Sequence, residues 1–239
     1  MISGKLYRRG IFLSAFKYSI PVLLGYITIG IAFGLLVAGS GYPWPLALFM
    51  SLWMFAGAGQ FIAIGLLAAG TSLWEVAFVQ LVVNARHIAY GLSMYKRFKG
   101  LGPLKPYMIL SLTDETFALL SSLPELPAEA DEGERRLLMF YTALLNQAYW
   151  VSGSLIGAVA GSFIPFDMNG IAFALTALFV VLMIEQIIKI KKPGIFVISA
   201  AAALLGVFLL PGTLALLASL VLALLLSPLA DRKTMGAGP

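Results

Sequence analysis

The sequence predicts an all-α integral membrane protein, a polytopic helical bundle with seven or eight hydrophobic segments. Hydrophobic residues make up 60% of the 239 positions, charged residues make up only 11%, and the mean hydropathy is +0.95. Soluble domains carry roughly 25% charged residues, so this chain cannot cover a water-exposed surface of ordinary size. Its charges fall in short, mostly basic breaks between long apolar stretches, as in helices that cross a bilayer. These observations exclude a soluble enzyme, a nucleic-acid binder and a disordered chain.

The first hydrophobic segments lie within residues 18–74, where no side chain is charged. A helix needs about 20 apolar residues to cross a bilayer, so this stretch holds two spans and a partial one. The sequence Ser-Gly-Tyr-Pro-Trp-Pro at 40–45 predicts a break, because glycine and proline end helices and aromatic residues favour the membrane interface. In the second segment, Gly57 and Gly59 indicate either a broken or re-entrant helix around residues 57–60 or close packing of helices through small residues.

Two segments in the middle of the chain contain charge. Residues 76–95 are long enough for a span and include Arg86 and His87. Residues 107–123 are short and polar for a span and include Thr-Asp-Glu-Thr at 113–116. Irregular backbone at membrane depth is tolerated only where it is buried in protein or lines a watery cavity. We therefore expect a second broken or re-entrant helix at these four residues.

The remaining segments are longer and less polar. Residues 137–166 carry no charge, and residues 168–184 lead into a lysine cluster. Residues 193–230 are also uncharged and have Pro211 and Gly212 at their centre, which predicts a hairpin of two spans of about 18 residues each.

Small residues recur at helical spacing in two segments. Gly30 and Gly34 form a pair, and Gly153, Gly157 and Gly161 form a longer ridge. Residues four apart share a helix face, and glycine there lets two helices approach closely. We assign these glycines to helix packing.

The domain organisation follows from these segments. We expect a cytoplasmic N-terminal segment over residues 1–17, a single transmembrane domain over 18–230 and a cytoplasmic tail over 231–239. Eight simple crossings satisfy this arrangement, but they leave the basic loop at 96–105 outside, against the tendency of Lys and Arg to stay in the cytoplasm. If the segment around 57–60 re-enters from the outer side and that at 113–116 from the inner side, the loop becomes cytoplasmic. We favour this re-entrant topology.

Charged side chains within the apolar segments are the first functional candidates. A charge in the membrane interior costs about 2.5–3.5 kcal/mol on insertion scales, so it needs a partner. Arg86 cannot lose its proton, and Asp114 and Glu115 are the acids nearest to it in predicted depth. Arg86 and one of these acids either form a structural ion pair that holds two helices together or line a path for a substrate or a proton. We favour the path.

Amide, imidazole and backbone groups complete the predicted path. Gln80, Asn84, His87 and Gly91 recur at spacings of four, three and four residues and so would share one helix face, which either lines a polar cavity or hydrogen-bonds to neighbouring helices. His87 has an ordinary pKa near 6.5 and either carries a proton or packs as a neutral residue. An unwound turn at 57–60 would offer backbone groups to a zwitterion. The candidate pathway residues are Gly57, Gly59, Gln60, Asn84, Arg86, His87, Asp114, Glu115, Asn146 and Gln147.

Catalytic and metal-binding motifs are missing from the sequence. There is no cysteine and only one histidine, so neither a thiolate nor a multi-histidine metal site can form. Hydrolase, nucleotide-binding and zinc-protease motifs are also missing. We therefore expect no catalytic residue, cofactor or nucleic-acid partner. An intramembrane enzyme using Asp114, Glu115 and His87 as acid and base stays an alternative, as does a channel or scaffold subunit.

Three motifs resemble those of the AzlC-type family. They are Phe-Ala-Gly-Ala-Gly-Gln-Phe at 55–61, Val-Asn-Ala-Arg-His-Ile-Ala-Tyr-Gly at 83–91 and Leu-Thr-Asp-Glu-Thr-Phe-Ala at 112–118. Their order and spacing are similar to the family's, most clearly between Tyr18 and Pro165. The family comprises large subunits of bacterial branched-chain amino acid exporters. The resemblance implies an ion-driven secondary transporter in the bacterial inner membrane, exporting leucine, isoleucine, valine or analogues with a small AzlD-type membrane subunit.

Overall fold

The computed structural model describes residues 2–123, 132–163 and 193–210, with single positions between 177 and 188 and between 215 and 226. All regular structure among these residues is helical, which confirms the all-α prediction for them. The helices are α1 Ile2–Gly39, α2 Trp44–Trp53, α3 Ala58–Ala68, α4 Leu73–Asn84, α5 Arg86–Met94, α6 Lys105–Leu110, α7 Asp114–Ser122, α8 Glu132–Gly161 and α9 Pro193–Leu209.

The chain divides into two compact units. The first comprises residues 1–65 and 84–171, and the second comprises residues 66–83 and 172–239. The boundary of the predicted transmembrane domain at residue 17 falls within α1, since this helix already begins at Ile2.

Helix length separates α1 from the other apolar helices. Within the described part of the chain, Arg9–Gly39 is the one helical stretch long and apolar enough to cross a bilayer. Helices α2, α3 and α4 have 10, 11 and 12 residues, which is about 15–18 Å at 1.5 Å per residue. A hydrocarbon core is about 30 Å thick, so none of the three crosses it alone. The prediction of seven or eight spanning segments is therefore not confirmed.

Helices α1 and α8 pack closely and run in the same direction. A Cβ atom on Gly34 would overlap the backbone of Ser154 and Ala158, and one on Gly157 would overlap the backbone of Ile31. A Cβ on Gly30 would lie 3.0 Å from the Trp150 carbonyl oxygen. The prediction that these glycines serve packing is confirmed, because only a missing side chain permits this approach.

The predicted break at 40–45 is confirmed, since α1 ends at Gly39 and α2 begins at Trp44. The next break lies slightly earlier in the chain than predicted. It covers residues 54–57, where Phe55 and Gly57 have φ of +38° and +50°. Gly59 and Gln60 are instead helical, in the first turn of α3.

The third break is at residues 111–113, so it begins earlier than the predicted window of 113–116 and shares only Thr113 with it. Thr113 has an extended backbone, and its side-chain oxygen accepts the Thr116 amide at 3.2 Å, which caps the start of α7. Asp114 and Glu115 occupy the first turn, where a negative charge is stabilised by the helix dipole.

One predicted helix is interrupted. Residues 76–95 do not form one span, because α4 ends at Asn84 and α5 begins at Arg86. The helical hydrogen-bond pattern tightens at Ala85, because the Ala85 carbonyl accepts the Ile88 amide, only three residues later, at 3.1 Å. The predicted stripe of Gln80, Asn84, His87 and Gly91 is thus divided between α4 and α5.

The second unit contains α9, the first arm of the predicted C-terminal hairpin. A Cβ on Gly206 would overlap the Ser219 side chain and lie 2.7 Å from the Ala215 carbonyl oxygen, so these positions pack against α9. Pro211 and Gly212 at the predicted bend, and the tail at 231–239, lie outside the described residues.

Candidate functional site

The turns of two broken segments meet on Tyr26, a buried residue close to the midpoint of Arg9–Gly39. The Tyr26 hydroxyl lies 2.5 Å from Thr113 Oγ1, at the turn between α6 and α7. The Tyr26 ring packs edge-on against Phe55, in the turn between α2 and α3, with centroids 6.2 Å apart. One side chain of α1 therefore contacts both turns.

The α6–α7 segment approaches Tyr26 from the N-terminal end of α1 and α8. Leu104 before α6 and Leu123 after α7 both pack in a buried cluster that includes Ile11 and Met139. Arg97 Nη1 also donates to the Leu120 carbonyl at 2.5 Å. Tyr26 lies fifteen residues beyond Ile11, or about 22 Å along the helix. The segment enters and returns at the same end.

The α2–α3 segment approaches from the opposite end. Helix α2 starts shortly after α1 ends, and its C-terminal Leu52 carbonyl accepts Gln147 Nε2 at 2.9 Å. Helix α3 then leads away from Tyr26, since Phe61 packs against Phe33 at a centroid distance of 5.4 Å. The turns of both segments thus lie at the same position along the paired helices α1 and α8, namely at Tyr26.

Arg86 and Asp114 form an ion pair beside this level. Arg86 Nη1 lies 2.5 Å from Asp114 Oδ2, and the Tyr90 hydroxyl donates to Asp114 Oδ1 at 2.6 Å. The side chains of Arg86 and Asp114 are 36% and 25% exposed. The expected partner of Arg86 is thus Asp114, and the pair is neither fully buried nor fully solvated.

Glu115 has a different partner. The Tyr26 hydroxyl donates to Glu115 Oε2 at 2.8 Å. Consecutive residues on a helix point about 100° apart, which is why Asp114 and Glu115 serve different neighbours.

A chain of hydrogen bonds extends from Glu115 into the core. The hydroxyl oxygens of Thr113 and Thr116 are 3.1 Å apart, and Asn146 Nδ2 donates to Thr116 Oγ1 at 3.1 Å. Thr113 is the donor in its contact with Thr116, and Tyr26 is the donor to Glu115, so these side chains form one continuous hydrogen-bonded cluster from Glu115 to Asn146.

Several buried polar atoms next to this chain have no hydrogen-bond partner among the described residues. They are Arg86 Nε, His87 Nε2, Asn146 Oδ1 and Trp150 Nε1. Trp150 lies one turn beyond Asn146 on α8, and its ring packs edge-on against Tyr26. Buried polar groups normally have a partner, which can be water or a ligand. Close to Tyr26, Trp150 Nε1 can therefore donate to a bound molecule and Asn146 Oδ1 can accept from one.

Other predicted residues have structural contacts. Gln60 is fully buried, with Oε1 3.3 Å from the Ala56 amide, so it closes the turn. Gln147 bridges the two broken segments, because its Oε1 also accepts the Tyr107 hydroxyl at 2.9 Å. Gly57 shapes the turn, whereas Gly59 lies buried in α3 and Asn84 at the end of α4. No group of three His, Asp or Glu residues suited to a metal occurs in the described part of the chain.

Sequence reasoning missed five residues of this arrangement. They are Tyr26, Tyr90, Thr113, Thr116 and Trp150. Two signals in the sequence indicate some of these residues. A Tyr or Trp in an apolar stretch needs a hydrogen-bond partner for its polar atom, which applies to Tyr26 and Trp150. A Thr directly before acidic residues is typical of a helix N-cap, which applies to Thr113.

The AzlC protein family matches residues 21–164, a range that contains all ten predicted pathway residues. The branched-chain amino acid transport protein AzlC of Bacillus subtilis is 38% identical over 225 residues, covering 91% of this chain and 86% of that protein. An uncharacterized membrane protein of Helicobacter pylori strain 26695 is 47% identical over 175 residues, covering 73% and 75%. Inner membrane protein YgaZ of Escherichia coli K12 is 32% identical over 220 residues, covering 88% and 86%. No solved structure matches the chain significantly.

Proposed function

This chain belongs to the AzlC family, and we propose that it is the large subunit of a secondary transporter that exports branched-chain amino acids from the bacterial cytoplasm. The relative from B. subtilis, named for branched-chain amino acid transport, supports the substrate class. The observation that carries the proposal is the meeting of two broken segments at Tyr26, beside the Arg86–Asp114 pair. Broken helices that meet at mid-depth are the usual substrate sites of secondary transporters.

The substrate is a zwitterion, and the Arg86–Asp114 pair offers both complementary charges. The substrate carboxylate binds Arg86, whose Nε has no partner among the described residues, and the ammonium group binds Asp114. One ion pair is then exchanged for two, so no uncompensated charge is buried. The apolar side chain of leucine or valine packs on the aromatic rings around Tyr26, which include Phe55 and Trp150.

Glu115 is the proposed site of ion coupling. It lies at the end of the hydrogen-bond chain through Tyr26 and Thr113, separate from the carboxylate that binds the ammonium group. Protonation of Glu115 would free the Tyr26 hydroxyl to donate to Thr113 instead of to the carboxylate. A proton taken from the membrane gradient thereby changes contacts at the turn between α6 and α7.

The proposed topology has two re-entrant segments in the inner membrane. The α6–α7 segment enters from the cytoplasm and the α2–α3 segment from the outer side, and both termini are cytoplasmic. The contacts of Leu104 and Leu123 with the cluster near Ile11 support this arrangement. A small AzlD-type membrane subunit completes the transporter.

Leucine efflux from preloaded vesicles tests the proposal. We expect efflux driven by an ion gradient when the chain is present with an AzlD-type subunit from the same genome, and accumulation against a leucine gradient separates a transporter from a channel. Absence of efflux for leucine, isoleucine and valine, with and without the small subunit, would overturn the substrate class.

Two Glu→Gln substitutions provide a matched comparison for the coupling site. We expect Glu115→Gln to abolish the dependence of efflux on the ion gradient. The control Glu75→Gln removes the same charge at the start of α4, where Ser72 Oγ donates to Glu75 Oε2 at 2.8 Å. Glutamine also serves in such a capping box, so this control should export leucine normally. Equal effects of the two substitutions would remove Glu115 from the coupling path.

A further inference from the structure

A single amide side chain of α8 contacts both broken segments. Gln147 Oε1 accepts the Tyr107 hydroxyl of α6 at 2.9 Å, and Gln147 Nε2 donates to the Leu52 carbonyl of α2 at 2.9 Å. The two segments approach from opposite ends of α1 and α8, so these contacts join parts of the chain that enter the fold separately. We call the two hydrogen bonds together the Gln147 bridge.

The contact with α2 gives a partner to a helix end. The last four carbonyls of a helix have no partner within it, and Leu52 is the next-to-last residue of α2. The chain then turns away from the helix direction, since Phe55 and Gly57 have positive φ. The amide nitrogen of Gln147 takes the place of the missing helical donor and holds the end of α2 against α8.

The contact with α6 requires the oxygen of the same amide. The Tyr107 ring packs edge-on against Phe140, two turns before Gln147 on α8, with centroids 5.6 Å apart. This packing holds the Tyr107 hydroxyl beside α8, where it donates to the amide oxygen. The Leu52 carbonyl can only accept, so the amide must present its nitrogen to α2 and its oxygen to α6. An ionised glutamate or a hydrocarbon side chain could not make both contacts.

The two contacts of Gln147 strengthen each other. A glutamine side chain has three rotatable bonds, and fixing them costs conformational entropy. Once one contact has fixed the side chain, the other forms at a smaller entropic cost. Loss of the Tyr107 contact therefore weakens the hold on Leu52, and loss of the Leu52 contact weakens the hold on Tyr107 by the same free energy.

We propose that Gln147 is a positioning residue that couples the two broken segments and keeps both of their turns on Tyr26. This inference rests on the transport function proposed above and adds to it a means of limiting leak. A transporter must not open its site to both sides at once, and turns that leave Tyr26 independently of each other would permit this. The bridge makes such independent movement less frequent and so favours coupled efflux.

Hydrogen exchange of the full chain in lipid nanodiscs tests the coupling without a substrate. The amides of residues 54–56 are hydrogen-bonded in the turn between α2 and α3, so their exchange rates report the opening of this turn. We expect Tyr107→Phe, a change in α6, to speed exchange at 54–56 about 2- to 10-fold, which is the effect of one hydrogen bond on an opening equilibrium. Unchanged exchange at 54–56 would overturn the proposal.

Two further variants show whether the effect passes through Gln147. Tyr141→Phe is the matched control, because Tyr141 packs on Phe12 and has no part in the bridge, and it should leave exchange at 54–56 unchanged. Gln147→Met keeps the approximate length of the side chain but makes neither contact, so exchange should already be faster, and adding Tyr107→Phe should change it no further. An equal increase in the control, or additive effects of Gln147→Met and Tyr107→Phe, would overturn the proposal.

Leucine accumulation in inside-out vesicles distinguishes a failure of this inference from a failure of the transport function. We expect Gln147→Met to transport leucine but to reach a steady-state gradient about 2- to 10-fold smaller than that of the wild type, because leak is faster. If the wild type reaches a gradient and Gln147→Met reaches the same one, the role of Gln147 is wrong although the transport function holds. If the wild type moves no branched-chain amino acid, the transport function and the leak role both fail, and the exchange rates still decide whether the bridge couples the two segments.

Discussion

The Tyr26 hydroxyl lies 2.8 Å from Glu115 Oε2, although 89 positions separate the two residues in the chain. This contact joins the longest helix to the first turn of α7, and the same hydroxyl lies 2.5 Å from Thr113. A carboxylate at that depth is stable only when it is hydrogen-bonded or paired. Tyr26 therefore links α1 directly to the carboxylate of Glu115.

Replacing Tyr26 by phenylalanine removes this hydrogen bond. We expect Tyr26→Phe to insert normally but to lower leucine efflux about tenfold, because Glu115 loses its donor and a buried group left unsatisfied costs about 1–3 kcal/mol. Initial efflux rates, normalised to protein in the vesicle membrane, measure the effect. Tyr18→Phe is the matched control, since Tyr18 is on the same helix and is 42% exposed. Unchanged efflux in Tyr26→Phe would exclude the hydroxyl from the mechanism.

Arg86→Lys tests whether the guanidinium group binds substrate. Lysine can keep a single contact with Asp114, because Arg86 makes its 2.5 Å contact through Nη1, but lysine has no equivalent of the buried Nε. We expect normal assembly and a 10- to 100-fold fall in efflux, seen mainly as a higher KM for leucine.

The double variant Arg86→Leu with Asp114→Leu separates binding from a structural staple. Removing both charges avoids leaving one of them unpaired, so thermal stability should recover relative to Arg86→Leu alone. Efflux should not recover, because both groups that we propose to bind the zwitterion are gone. Recovery of both efflux and stability would instead show that Arg86 and Asp114 form only a structural ion pair between α5 and α7.

Gly34→Ala tests the contact between α1 and α8. The new methyl group would overlap backbone atoms of Ser154 and Ala158, and overpacking of this kind costs about 1–3 kcal/mol. We expect a lower Tm and a smaller yield of monodisperse protein in detergent. Gly25→Ala is the control on the same helix, since a Cβ there has open space and alanine favours helix. Equal Tm values for the two variants would contradict the proposed packing.

Single cysteines test the topology without background, because the chain contains none. We expect Lys99→Cys in intact cells to react only with a membrane-permeant reagent and Ser40→Cys to react with an impermeant one. Lys99 lies beside the cluster near the start of α1, whereas Ser40 follows its end. Reaction of Lys99→Cys with the impermeant reagent would favour eight simple crossings and eliminate both re-entrant segments.

Local features of the structure followed well from the sequence. Glycine and proline predicted the end of α1, and glycines at four-residue spacing predicted close helix packing, which the structure shows to be between α1 and α8. The location of Gly57 predicted a break in the second segment, although that break begins at residue 54 because Gln60 closes the turn from within α3. The interruption at Ala85 was missed, because alanine is a good helix former and no glycine or proline precedes it nearby.

The sequence by itself determined the class of the protein and the need for partners. Few charges and long apolar stretches specify a membrane protein, and a guanidinium group among apolar residues must meet an anion. Only the tertiary structure decided that Arg86 meets Asp114 while Glu115 meets Tyr26, and that Asn146 reaches Thr116. Local periodicity reports which residues share a helix face, but contacts between residues 28 to 89 positions apart depend on how α1, α7 and α8 pack. Two neighbouring carboxylates with the same local sequence environment acquired different partners because a helix turns about 100° per residue.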